Sequence, residues 1–303
     1  MSASETALPL RVGARTLVTL RRRLVRRRLS LEEALTGQAP RLPTLGRNEH
    51  GYLVNALPAG LAQPLACAQG DLKPFVRQAY VRSYARLDLG FDSYFSAFSA
   101  KSRSTLRRKV KKLADRSGGS LDLRAYRNEA EIETFHRAAR SVSALTYQER
   151  RLGAGLPDGP EALASMQALA RQGLARGWLL FVDGRPISYL YAPAEGSTLI
   201  YAYLGYDPEF AAFSPGTVLQ LEAMRTLMDE GDFRLFDFTE GEGQHKRQFA
   251  TGGLDCVDLL LVRPTPANLA IGHTLNAFDA AVAMGKKAAT TLGAQDLLRR
   301  LRR

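Results

Sequence analysis

The sequence predicts a mixed α/β fold (α+β in its arrangement) with a largely antiparallel central sheet flanked by helices, and three observations carry that expectation. Three β-rich segments, WLLFVDG (178–184), PISYLYAP (186–193) and STLIYAYLGY (197–206), follow one another too closely for helices to intervene. Asp183-Gly184, between the first two, is a strong short-range hairpin signal. Segments with helical spacing of apolar residues stand on either side of this meander, at 129–144, 160–176 and 217–230. This is not the strict strand-helix alternation of a doubly wound parallel sheet.

Taken in order, RTLVTL (15–20) and GYLVNAL (51–57) read as strands, with Pro40 and Pro43 marking the loop between them. Residues 58–69 read as a helix opened by Pro58, and 74–87 as a long aromatic-rich strand. In 101–114, Leu106, Val110 and Leu113 recur at helical spacing, so one stripe is buried and basic side chains fan over the rest; Ser117, Gly118 and Gly119 end this helix. A strand at 121–126 precedes the helices and meander named above. Ser214-Pro215-Gly216 opens the helix 217–230, and strands at 233–239 and 255–262 flank the polar turn EGEGQHK. After Pro264 and Pro266 the chain reads as a helix and then a short basic helix. The expected division is an N-terminal α/β half (1–99), a central domain (100–263) and a helical basic tail (264–303).

Composition excludes several classes. At 45% hydrophobic and 24% charged residues, the 303-residue chain is neither globally disordered nor fibrous. Its net charge of +12 is concentrated: segments 21–28, 101–112 and 299–303 hold six, seven and four basic residues with no acid, leaving 25 basic against 30 acidic residues elsewhere. No stretch reaches the roughly 18 apolar residues of a membrane span. The N-terminus lacks a signal-peptide pattern, and two distant cysteines, Cys67 and Cys256, offer no disulfide or zinc framework; a cytoplasmic location is expected. No phosphate loop, dinucleotide fingerprint or serine-hydrolase elbow is present, and the four histidines lack metal-ligand spacing, so no metal is expected.

One helical face gathers polar residues: His136, Ser143 and Tyr147 lie seven and four apart and, with Gln148, either line a pocket for an acceptor or are structural. Tyr201, Tyr203 and Tyr206 read as core or cleft wall. Asp237 either points into a cleft or caps the following turn.

The hairpin VDGRPISYLYAP (182–193), the segment YAYLGYDPEFAAFSPGT (201–217), the helix after it and DFTEGEGQHKRQFATGG (237–253) resemble, in that order, the GNAT acyltransferase superfamily, in its FemAB-like and polysaccharide-biosynthesis branch. The basic helix AKSRSTLRRKVKKL (100–113) is similar to the segment that precedes this domain there. The resemblance covers roughly 100–255. It implies a GNAT-like sheet, two GNAT-like halves, and an acyl group carried as acyl-CoA or an acyl carrier protein thioester, with no permanently bound cofactor. Simple GNAT enzymes carry a glycine-rich pyrophosphate loop where this chain has Ser214-Pro215-Gly216-Thr217, the form often seen in the branch. That segment reads either as a well-made helix start, capped by Ser214, or as an anion site in which Gly216 lets phosphate approach free N–H groups. The donor set implied is Ser214, Gly216, Thr217 and Tyr203. His245 stands where the branch commonly has an aromatic residue before Lys, here Lys246. It is a candidate general base, since imidazole titrates where an ammonium must lose its proton, or a surface turn residue. Glu240 and Glu242 are rival bases or amine-holding groups, and Asp237 and Lys246 complete the expected acceptor site.

The resemblance extends to bacterial ceramide synthases, implying N-acylation of sphinganine or 3-ketosphinganine; the alternatives are an amino sugar or envelope polysaccharide precursor, and a non-catalytic basic scaffold. The basic segments flank apolar residues (Leu24, Val25, Leu297, Leu298, Leu301), which suits an anionic membrane surface at the inner membrane better than nucleic acid; an acyl carrier protein is the other acidic partner considered.

Overall fold

A computed structural model describes residues 4–12, 15–146, 149–150, 153–241 and 243–291, the side chains of 244, 245 and 286–291 excepted. The expected sites Tyr147, Gln148 and Glu242, and the basic segment 299–303, lie outside the described residues. Eleven strands and nine α-helices are present among them, and most strand pairs are antiparallel.

The chain forms two compact units, Met1–Arg82 with Leu254–Arg303, and Ser83–Gly253. These divisions differ from the expected boundaries at 99 and 263, because strand pairing returns the chain's later part to its beginning. In the first unit, β1 (Ser4–Val12) pairs antiparallel with β2 (Arg15–Arg28), β2 runs parallel to β3 (Gly51–Pro58), and β3 pairs antiparallel with β11 (Gly252–Val262). The basic run 21–28 therefore continues a strand rather than standing apart, with Leu24 and Val25 fully buried while Arg21, Arg23, Arg26 and Arg28 are exposed. Helix α1 (Leu31–Leu35) opens on a capping box in which Ser30 and Glu33 satisfy each other's backbone N–H groups. The expected helix at 58–69 is a 3₁₀ turn followed by α2 (Ala62–Ala68), Pro58 closing β3 instead. Helix α9 (Pro266–Thr291) packs Leu275 among Leu8, Leu24 and Phe75. No helix of the described residues is long and apolar enough to cross a membrane.

The second unit carries the predicted meander. The order β10 (Leu235–Asp237), β8 (Thr198–Ile200), β7 (Arg185–Glu195), β6 (Ala175–Val182), β5 (Asp122–Tyr126) holds, and β9 (Tyr203–Tyr206) pairs with β7. The end of β4 (Lys73–Arg86) borders β10, with Ala85 opposite Phe236. Asp183 and Gly184 both take positive φ (52° and 74°), the turn that matches strand twist. Every residue of β6 is buried because helices cover both faces. Trp178, Leu180 and Val182 pack with α4 (Ala100–Arg116) and α7 (Pro215–Glu230), while Leu179 and Phe181 pack with α5 (Glu129–Ser143) and α6 (Pro160–Arg171). The sequence reading lacks α3 (Phe91–Ser96) and carries α6 past its C-terminal limit at Arg171, β6 beginning at Ala175. A last short helix, α8 (Gln244–Phe249), follows β10.

Candidate active site

The segment read as one strand over 197–206 is two. β8 pairs antiparallel with β7 at Leu199–Ala194 and parallel with β10, where Tyr201 N–H donates to the Asp237 carbonyl at 2.9 Å. Beyond that bond β10 ends, and Thr239 turns the chain with φ 61°. β9 continues along β7, Tyr206 opposite Ser188, and among the described residues it has no second neighbour. Asp207 N–H donates to the Ile187 carbonyl (2.8 Å) and the Gly205 carbonyl accepts from Ser188 Oγ (2.8 Å), so both face β7. Strand alternation then turns the Leu204 and Tyr206 N–H groups toward the open edge.

Beside that edge lies a cavity of about 290 Å³, lined by Tyr201, Leu204, Tyr206, Ala211, Ser214, Gly216, Thr217, Gln220 and Phe249. Of the expected donor-binding residues, Ser214, Gly216 and Thr217 are on this wall. Tyr203 is not: the break at 201–202 shifts the strand phase, and Tyr203 packs on the opposite face with Phe135, Tyr189 and Tyr191. Ser214 also departs from expectation. It adopts left-handed backbone (φ 53°, ψ 48°) and its side chain makes no capping bond; its carbonyl accepts from Thr217 and Val218 N–H. A Cβ at Gly216 would lie 3.0 Å from Leu204 Cδ2 and 3.4 Å from Tyr206 Cδ1, so glycine lets the helix start sit close against β9.

The turn after β10 adjoins the cavity lining through Tyr201. Asp237 is fully buried, and its Oδ1 accepts from Thr239 N–H at 2.7 Å. Lys246, on α8, donates to the Glu240 carbonyl at 2.6 Å and approaches Thr239 Oγ1 at 3.4 Å; its ammonium stands 5.8 Å from the Tyr201 ring centre. Burial pushes the Lys246 ammonium below the usual lysine range, against the opposing pull of Asp237 and Glu240. Burial likewise pushes the Tyr201 phenol up, so it remains protonated. Glu240 is exposed. His245 falls in the first turn of α8, next to Lys246, its side chain outside the described residues. The structure thus brings Asp237, Lys246 and Tyr201 together, and Tyr201 joins them to the cavity.

His136 and Ser143 do not line that cavity. His136 is buried, its Nε2 2.9 Å from the Pro157 carbonyl oxygen. Ser143 donates to Glu149, accepts from Leu156 N–H (2.9 Å) and meets Tyr189 Oη at 3.1 Å. Arg140 adds a two-pronged contact to Glu149 and a bond to the Leu156 carbonyl. Together these groups fasten Glu149, Leu156 and Pro157 over the α5 face. Their helical spacing was legible; the segment that consumes them was not.

Sequence reasoning missed Gln220. It is 2% exposed, lines the cavity, and neither amide atom has a hydrogen-bond partner. The available signal was a polar side chain inside the apolar run Val218-Leu219-Gln220-Leu221, on a helix whose other core-facing residues are apolar. No group of residues suited to a metal ion occurs among the described residues.

A comparison of the sequence with curated proteins finds no match. Among solved structures, FemX superposes with a TM-score of 0.55 at 13% identity, covering 74% of this chain and 75% of that one. The C-terminal domain of a protein assigned as a lysylphosphatidylglycerol synthetase, from Agrobacterium fabrum, does so at 0.51 and 14% identity, over 78% and 73%. A conserved protein of unknown function from Bacteroides thetaiotaomicron gives 0.50 at 11% identity, over 71% and 70%. At these identities the likeness is one of fold. The family model described as an acetyltransferase (GNAT) domain matches residues 100–247, which hold α4, the meander, the open edge of β9, α7 and the Lys246 turn. Residues 100–247 thus carry a GNAT acetyltransferase domain, the part of the chain in which the acyltransferase chemistry resides.

Proposed function

We propose that this acyltransferase moves an acyl group from a thioester, acyl-CoA or an acyl carrier protein thioester, onto an amine held at the Asp237–Lys246 turn. The observation that carries the reading is the parting of β9 from β10, which opens backbone N–H groups and a cavity beside the start of α7. The thioester lies along the open edge, its phosphates toward Ser214, Gly216 and Thr217. A base of the turn, His245 or one of Glu240 and Glu242, takes a proton from the ammonium. The freed amine attacks the thioester carbonyl, the C–N bond forms, and the tetrahedral intermediate collapses with C–S cleavage, the thiolate leaving and taking up a proton. N–H groups on the open edge of β9 stabilise the oxyanion, an effect worth about 3 kcal/mol per donor in other acyl-transfer enzymes. Lys246 adds positive charge beside Tyr201, and Asp237 orients the turn through Thr239.

For the acceptor, a lipidic amine, specifically a sphingoid base such as sphinganine or 3-ketosphinganine, is supported by the exposed arginines of β2. Recruitment would occur at the cytoplasmic face of an anionic membrane. The A. fabrum domain, whose assigned name is that of a lipid-modifying synthetase, is consistent with this. An amino sugar or envelope polysaccharide precursor is the second reading, favoured by the uncharged, hydrogen-bonding lining of the cavity.

The test is thiol release from short- and long-chain acyl-CoA and acyl carrier protein thioesters, each offered sphinganine, 3-ketosphinganine and amino sugars. Turnover with sphingoid bases supports the first acceptor, and turnover with sugars alone removes it. No thiol release from any pair, with vesicle binding intact, leaves only a non-catalytic scaffold. Full rate in His245→Ala eliminates the histidine as base. Replacing Arg23, Arg26 and Arg28 by Gln is expected to weaken binding to anionic vesicles about a hundredfold, as each basic residue near such a surface contributes roughly 1 kcal/mol. Turnover of a short-chain soluble substrate should be unchanged.

A further inference from the structure

Gln220 sits in the second turn of α7 among the residues that line the cavity, 2% exposed and without a hydrogen-bond partner at either Oε1 or Nε2. A buried donor and acceptor left unpaired cost stability, and a Leu or Met at this position would continue the apolar run without that cost. We propose that Gln220 is a ligand-binding residue that recognises a neutral amide-bearing segment of the substrate within this cavity. The lining decides the chemistry. None of its nine lining residues is charged, so a charged group beside Gln220, away from the free N–H groups at the start of α7, would lack a counter-ion. An alkyl chain would leave both Gln220 atoms unpaired. A segment with amide C=O and N–H groups supplies the missing acceptor and donor, and its flanking methylenes fit the walls made by Leu204, Phe249 and the rings of Tyr201 and Tyr206.

Two sources share this chemistry, the pantetheine arm of a thioester donor and the N-acyl group of a sugar or peptide acceptor. Which of them arrives rests on the acyl-transfer reading; the amide recognition does not. The experiment is therefore one of binding. The full chain and Gln220→Met, which keeps side-chain length while removing both hydrogen-bonding atoms, are titrated calorimetrically with coenzyme A, with ADP as a nucleotide lacking the arm, and with N-acetylglucosamine. Coenzyme A is expected to bind the variant about tenfold more weakly, the loss of two neutral hydrogen bonds. ADP is expected to bind both proteins alike, and the variant's melting temperature should equal or exceed that of the native chain. A tenfold loss confined to N-acetylglucosamine supports the same role and assigns the amide to the acceptor. Gln220→Glu, similar in size but charged, should lose the same probe, and serves if the Met variant fails to fold. Equal binding of both amide-bearing probes by native and variant proteins overturns the proposal, as does binding of neither by the native chain, or a melting temperature that falls in the Met variant. Absence of thiol release with the binding difference intact would remove the transfer reading alone; equal binding with thiol release intact would remove this inference alone.

Discussion

Two polar clusters in the same unit differ in how completely they are satisfied. On the α5 face, Arg140, Ser143, Glu149 and Tyr189 close on one another and on the backbone of 156–157, and His136 joins through Pro157. Beside β9, Gln220 is buried with nothing to bond, and the strand edge next to it has no second neighbour among the described residues. Both clusters sit under a helix against the same sheet, so burial does not distinguish them. Satisfaction does. A polar group that the fold itself pairs contributes to stability, whereas one held unpaired costs stability that a ligand restores on binding.

The contrast can be broken from either side. The largest expected effect is on stability: Arg140→Ala strands Glu149 and the Leu156 carbonyl, and should cost about 3 kcal/mol in urea denaturation while leaving turnover per folded molecule unchanged. A loss of turnover with unchanged stability would move the catalytic region to α5. On the open side, Lys246→Met should lower the rate of thiol release about a hundredfold, the scale of losing one electrostatic contact to a developing charge, with little change in melting temperature. Because burial holds the Lys246 ammonium below its usual range, the alkaline limb of the native rate profile should begin below about pH 10.4, and vanish in the Met variant. The smallest effect is a pH dependence. The hydrogen bond from Arg140, aided by that from Ser143, holds the Glu149 carboxyl below its ordinary value. Its contribution is therefore complete above the unfolded value near 4.3 and is lost as pH falls through the lower folded value, amounting to about 1 kcal/mol at a part-exposed site. Glu149→Gln should flatten the acid limb of the stability curve by that amount, and an unchanged limb would show that another carboxylate governs it.

What the sequence made legible was local. The Asp183-Gly184 turn, the apolar stripe of α4 and the Ser214–Thr217 helix start are written in residues within a few positions of each other, and each stands where the pattern put it. The Ser30–Glu33 capping box of α1 was equally readable and went unread. What escaped depends on distant partners. Nothing in IYAYLGY marks the break at 201–202, because the cause is β10 pairing parallel to β8 and then turning away at Thr239. That break sends Tyr203 to the far face and leaves Tyr201 and Tyr206 on the cavity. Ser214 has the residue type of a cap, yet left-handed backbone removes its side chain from that role. His136 and Ser143 share a face as their spacing implies, and only the return of Glu149, Leu156 and Pro157 to it determines that the face is closed.

The central claim is that chemistry takes place in the cavity beside β9, and filling that cavity tests it most directly. Thr217 is half-buried on its wall, and Thr217→Trp would place an indole where the donor is proposed to lie. Thiol release from acyl-CoA in the presence of an accepted amine should fall at least a hundredfold, with the melting temperature close to that of the native chain. Native rates with the cavity filled would contradict the placement of the active site.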